Sequence, residues 1–165
     1  IKYIMKTSEI LNKYRKIISS ILKCEPSDIK FYIGNSKEEV GTIDFDKNEV
    51  SKNWELGTYK VIQQIGDVQK VISTWNLYQL QHCCAFMVSC NVKVEESYRG
   101  KRIGTILNQL RQDVGRLLGY SSILCTDIEQ NVNQRKLLKT NGWKDIHSVV
   151  NKRTNNRVYL SVVNI

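Results

Sequence analysis

The sequence predicts one α/β domain: a central, mixed, mostly antiparallel sheet of six or seven strands, helices on both faces and one parallel strand pair. Three observations carry this. The chain has 165 residues, about one domain's worth. Between residues 83 and 128 an apolar run, a glycine-containing basic turn, a helical stripe and a second apolar run follow one another. That order is a βαβ unit, whose default is a right-handed parallel crossover. Short strand patterns separated by turn residues flank the unit and read as hairpins.

The first helix is expected from about Ser8 to Lys23. Ile10, Leu11, Tyr14, Ile17, Ile18, Ile21 and Leu22 recur at helical spacing, with Thr7 or Ser8 as N-cap. Cys24-Glu25-Pro26-Ser27 ends it. Strands follow near Ile29–Ile33 and Gly41–Phe45, with Gly34-Asn35-Ser36 between them. Residues 60–75 fit two templates: Val61, Ile62, Ile65, Val68, Val71, Ile72 and Trp75 make a helical stripe, whereas Gly66-Asp67 marks a hairpin turn. The run from Cys83 to Val94 reads as a strand buried on both faces. Ile103, Ile106, Leu107, Leu110, Val114, Leu117 and Leu118 form one helix stripe, which reads as core, with Gly119 at C′. Ser122–Ile128 is the next buried strand. A short polar helix spans about 131–139 and stops at Asn141-Gly142. Trp143–Val150 and Arg157–Val163 form a last hairpin around Lys152-Arg153-Thr154-Asn155-Asn156.

Composition narrows the class. Hydrophobic residues are 41% and charged residues 25%, ordinary for a globular domain and unlike a disordered or collagen-like chain. No apolar stretch reaches the length of a membrane span, and the first residues lack a signal-peptide core. The expected setting is cytoplasmic, with no membrane partner. Five cysteines at 24, 83, 84, 90 and 125 form no CxxC pair or Cys/His ligand spacing, so no metal site is expected and the thiols read as buried, free hydrophobes. Trp54, Trp75 and Trp143 read as core. The net charge is +9, with 25 Lys/Arg against 16 Asp/Glu. Residues 1–82 hold 12 basic and 10 acidic side chains (+2), and residues 83–165 hold 13 and 6 (+7). A basic half attracts a polyanion: nucleic acid, a membrane surface or a phosphate-rich cofactor.

The segment that carries chemistry is Tyr98-Arg99-Gly100-Lys101-Arg102-Ile103-Gly104-Thr105. It joins a central strand to a long helix. The first turn of a helix has N–H groups with no internal partner, and they point along the positive end of the dipole. Glycines at 100 and 104 let backbone approach a phosphate, and Arg99, Lys101 and Arg102 add charge. The expectation is a diphosphate seated on residues 99–105. GxxxxGK[ST] and GxGxxG are both absent, so this is neither a P-loop nor a dinucleotide fingerprint.

In this context the sequence resembles the GNAT superfamily of acyl-CoA-dependent N-acyltransferases over about residues 84–163. Val92-Lys93-Val94 followed by Tyr98 to Gly104 looks like that family's strand and pyrophosphate loop. Asn131, with Leu137, Leu138, Gly142 and Trp143 behind it, looks like its second cofactor motif. The resemblance implies a sheet splayed beside the parallel pair, with acetyl-CoA (coenzyme A) in the gap. Backbone of Val92 and Val94 would pair with pantetheine. N–H groups from Arg99 and Gly100 through Lys101, Arg102, Ile103, Gly104 and Thr105 would hold the pyrophosphate. Asn131 would orient the lower pantetheine and the next helix. Residues 83–165 would be the acyl-CoA-binding core and 1–82 the acceptor side. The reaction implied is direct attack of an amine on the thioester.

The sequence departs from the family pattern in three places. Arg102 stands for the second loop glycine and is read as tolerable with helical φ/ψ. Gln134 stands for an alanine. Leu138 stands for the tyrosine that often protonates the departing thiolate. The strand from 83 to 94 carries no Asp or Glu. Candidate proton-handling groups are therefore His82, Asp127 and Tyr159, with Glu129 and Glu55 behind them. Three other readings stay open: an enzyme of this fold acting on a nucleic-acid base or aminoacyl-tRNA, a non-catalytic acyl-CoA-binding or interaction module, and a plain basic binding domain. The chain is read as monomer or homodimer.

Overall fold

The computed structural model describes residues 7–33, 55–80 and 82–165. The order is α1 (Thr7–Leu22), β1 (Ile29–Ile33), β2 (Glu55–Ile65), β3 (Val68–Gln79), β4 (Phe86–Val94), α2 (Ile103–Leu118), β5 (Ser122–Ile128), α3 (Val132–Thr140), β6 (Lys144–Val150) and β7 (Arg157–Asn164). The strands form a seven-stranded sheet in the order β1-β2-β3-β4-β5-β7-β6. Every pairing is antiparallel except β4 with β5, as the βαβ pattern requires. The expected strand at Gly41–Phe45, its turn and Trp54 lie outside the described residues.

The ambiguous stretch is a hairpin. Gly66, at φ 57°, takes the left-handed turn that the Gly-Asp pair signals. The helix-like spacing has a physical cause. Val61 and Ile62 point to opposite faces of the strand and both are buried, at 0% and 1% exposure, while the pairing slips opposite them, with Ile72 of β3 as the extra residue.

β4 corrects the expectation of a strand buried on both faces. It begins at Phe86, and its buried positions alternate at Met87 and Ser89 before the strand opens toward Val94. Thr74 pairs with Lys93 but Asn76 pairs with Cys90, so Trp75 faces both Asn91 and Val92. This is a β-bulge, with Asn91 at φ 52°. The cysteine expectation also changes: Cys125 is buried, Cys84 is exposed and the other three are intermediate, all of them free thiols. Trp75 and Trp143 are core residues as expected.

α2 runs along β4 and presses on its start. A Cβ added at Gly115 would come within 3.2 Å of Met87 Cε and 2.5 Å of Ile165 Cδ1, so the missing side chain sets how closely helix and sheet approach. Gly119 closes the helix in a left-handed cap at φ 85°. α1 docks on α2 through Tyr14, whose hydroxyl donates to Asp113 Oδ2 at 2.7 Å. Among the described residues no helix is long and apolar enough to cross a membrane.

Candidate functional site

β4 and β5 pair only at Phe86–Val88 and Ser122–Leu124. Beyond that pairing a crevice opens between them. It is a cavity of about 560 Å³ walled by the end of β4, the turn at 98–100, the first turn of α2 and the start of α3. Strand neighbours address opposite edges. Glu95 N–H donates to Ile72 O on β3, so Lys93 also faces β3, while Val92 and Val94 turn their N–H groups to the edge β5 has left. The bulge at Asn91 sets that parity.

The turn itself is braced. Tyr98 is buried, its hydroxyl donates to Gln63 Oε1 at 3.0 Å, and burial raises its pKa. Arg99 Nε donates to Val94 O at 2.9 Å, which ties the turn to the end of β4. α2 starts without a side-chain cap. The N–H groups of Ile103, Gly104 and Thr105 therefore lack intrahelical partners, and all three residues line the cavity. The result is a row of donors at the positive end of a 16-residue helix, beside Arg99 and Arg102. Chemically, this row of donors suits a diphosphate and the free strand edge suits an extended amide-bearing arm.

Val92, Val94, Arg99, Gly100, Arg102, Ile103, Gly104, Thr105 and Asn131 all line this cavity. Lys101 does not; its ammonium stands 5.7 Å from the Tyr98 ring centroid. Two local readings are corrected. Arg102 is not helical but left-handed, at φ 63° and ψ 8°, because the chain must reverse at the helix entrance where a glycine would carry no Cβ penalty. A Cβ at Gly104 would stand 3.0 Å from Leu137 Cδ1, so this glycine makes room for α3 as well as for a ligand. Asn131 is the N-cap of α3, its side chain accepting from Gln134 N–H at 3.2 Å.

The three proton-handling candidates are not brought to the cavity wall. His82 is exposed at the opposite end of β4, nine strand residues from the turn, or about 30 Å. Asp127 is buried and held by Arg135 Nη1 at 2.8 Å. Tyr159 lies under the same guanidinium, 3.5 Å from its ring centroid. Arg135 Nη2 also binds Asp145 Oδ2 at 2.8 Å, and Ser161 Oγ donates to Asp145 Oδ1 at 2.9 Å. Burial alone would raise the Asp145 carboxyl; hydrogen bonds from Arg135 and Ser161 outweigh it and hold the group below its ordinary range. This ion pair network clamps β5, β6 and α3 together. Glu129 is exposed, and the Glu55 side chain lies outside the described residues.

One residue at the site was not anticipated. Arg111, on the α2 face read as plain core, is 2% exposed and lines the cavity. A basic residue one turn beyond Leu107 on a stripe otherwise apolar was the available signal.

No family model matches the chain, and no curated protein sequence matches it. Solved structures do. An IAA acetyltransferase from Bacillus cereus aligns with a TM-score of 0.58 at 14% identity, covering 83% of this chain and 99% of its own. A GNAT family acetyltransferase from Elizabethkingia anophelis with acetyl-CoA bound gives 0.57 at 12%, covering 84% and 99%. The spermidine/spermine N-acetyltransferase SpeG from Vibrio cholerae gives 0.60 at 12%, covering 84% and 93%. At such identities the likeness is one of architecture, and the splayed seven-stranded sheet with its parallel pair is the fold of the GNAT acetyltransferases.

Proposed function

We propose that this chain is an N-acyltransferase that moves an acetyl or other acyl group from coenzyme A to an amine by direct attack. The carrying observation is the crevice between β4 and β5 that ends on the uncapped first turn of α2. The residues present fit an acyl-CoA. Free N–H groups on α2, with Arg99 and Arg102, suit the diphosphate. The outward N–H groups of Val92 and Val94 suit the pantetheine amides. The structural neighbours include one with acetyl-CoA bound, which supports the choice of ligand.

The bound thioester supplies the acyl carbon. The amine nitrogen forms a bond to that carbon, the carbon–sulfur bond breaks, and coenzyme A leaves as a thiolate. The amine proton passes to water. No histidine or carboxylate lines the cavity among the described residues, so the chain works chiefly by positioning and by donating N–H groups to developing charge. Residues 83–165 form the acyl-CoA side and 1–82 the acceptor side. Free thiols are consistent with a cytoplasmic setting. The +7 balance of residues 83–165 supports a second reading, in which the acceptor amine is carried on nucleic acid. RNA binding that weakens steeply with salt would favour that reading.

Thr105→Glu tests the site. A carboxylate in the first turn of α2 favours the helix dipole, so the free variant melts no lower than the parent. It repels a diphosphate, so acetyl-CoA no longer raises the melting temperature and acyl transfer is lost. Transfer at the parental rate by Thr105→Glu would refute this placement.

A further inference from the structure

Among the described residues, buried side-chain polar atoms without a partner gather on one face of α2 and the strand beneath it. They are Arg111 Nε and Nη1, Asn108 Nδ2 and Ser89 Oγ, with Tyr59 OH on β2 as the fifth. Asn108 and Arg111 are three residues apart and share a helix face. The Asn108 amide is oriented by its partners, since Trp143 Nε1 and Gln112 Nε2 both donate to Oδ1 at 3.2 and 2.9 Å. Its Nδ2 is therefore a donor with nothing to donate to. Ser89 shares a strand face with Met87, which meets α2 at Gly115. Ser89 is also the first β4 residue past the pairing with β5. The cluster thus sits where the crevice begins, about 10 Å along α2 from Gly104 by helix rise.

A buried guanidinium without an anion is costly. Arg111 has none among the described residues. Desolvation lowers its pKa to about 10, so it is still charged at neutral pH. Cys125, whose charge it would feel, is a protonated thiol, pushed up to about 12 mainly by burial. Asp127, two residues further along β5, is committed to Arg135 at 2.8 Å. The unmatched groups are almost all donors. What completes them is an acceptor, and beside a cation that acceptor is an anion.

We propose that the guanidinium of Arg111 receives a negatively charged group at the thioester end of bound acyl-CoA. This rests on the acyl-CoA reading of the crevice. The diphosphate cannot be that group, because its donors are the first turn of α2. Two sources remain: a carboxylate ending the acyl chain, as in succinyl-CoA, or the thiolate of coenzyme A itself. In the second case Arg111 stabilises the leaving group where Leu138 stands for a proton donor.

Calorimetric titration separates these. Acetyl-CoA, succinyl-CoA, coenzyme A and desulfo-coenzyme A are bound to the parent, Arg111→Met and Arg111→Lys. The parent prefers succinyl-CoA over acetyl-CoA, or coenzyme A over its desulfo form, by about tenfold or more. The first preference identifies a carboxylate and the second a thiolate. Arg111→Met abolishes that preference, whereas Arg111→Lys keeps part of it. The ligand-free Met variant also melts higher, since an unpaired buried charge is gone. The inference is overturned if neither preference exists, if the preference survives in Arg111→Met, or if the free Met variant melts lower because the guanidinium already has a structural partner. A parent that binds none of the four ligands brings down the acyl-CoA reading as well; binding of acetyl-CoA without either preference sinks this inference alone.

Discussion

Arg102 shows the site at the scale of one residue. Its left-handed backbone at φ 63° carries a Cβ where glycine would carry none, a cost of about 1 kcal/mol. Arg102→Gly should therefore raise the melting temperature by roughly 2–4 °C, read by calorimetry without ligand; an unchanged or lower value would mean the side chain contributes something that offsets the strain. The neighbouring identities were legible in the sequence, because glycine and basic residues between an apolar strand and a helical stripe have a local meaning. The conformation of Arg102 was not, because φ depends on how the chain must turn to bring α2 against β4. Arg111 was hidden for a related reason. A stripe count records the apolar residues on a helix face and passes over a cation among them, and only the packed structure shows that the cation has been left without an acceptor among the described residues.

Elements followed the sequence closely wherever one period dominated. α2, its glycine stop, β5 and the C-terminal hairpin came out within a few residues of their expected bounds. Bulges defeated the pattern. β2 buries both of its faces at Val61 and Ile62 and β3 carries an extra residue at Ile72, which together mimic a helix, and the bulge at Asn91 decides which residues of β4 face the crevice. Periodicity has no term for an extra residue, although Asn in an apolar strand is a residue that tolerates the left-handed region. Two substitutions test the elements that frame the site. Asn131→Ala removes the cap of α3 and should cost about 1 kcal/mol in chemical denaturation, with weaker acetyl-CoA binding because Asn131 also lines the cavity. Gly115→Val forces α2 off β4, where an added carbon already meets Met87 and Ile165. It should destabilise by about 1–3 kcal/mol, and full parental stability would show that the close approach is not required.

For the whole molecule, the Arg135 network sets a pH dependence. The folded Asp145 carboxyl is held below its ordinary value. Its contribution to stability is complete above the unfolded pKa, about 3.9, and is lost as pH falls through the lower folded pKa. A denaturation series at decreasing pH should show Asp145→Asn losing less stability than the parent across that acid window; parallel curves would contradict the assignment. The candidate bases at 82, 127 and 159 were reasonable as residue types, yet tertiary packing put one at the far end of β4 and the other two against Arg135. The role of residues 1–82 was illegible from the start, since no motif marks them.

The central claim is that donors at the mouth of α2, set where β4 and β5 part, hold an acyl-CoA. Thermal melting with and without acetyl-CoA addresses it most directly. At a ligand concentration about 100 times the dissociation constant, the added stability is about 2.7 kcal/mol, or roughly 5–10 °C for a chain of this size. A rise of that order that disappears in Thr105→Glu is the predicted result; identical melting curves at millimolar acetyl-CoA would contradict the account.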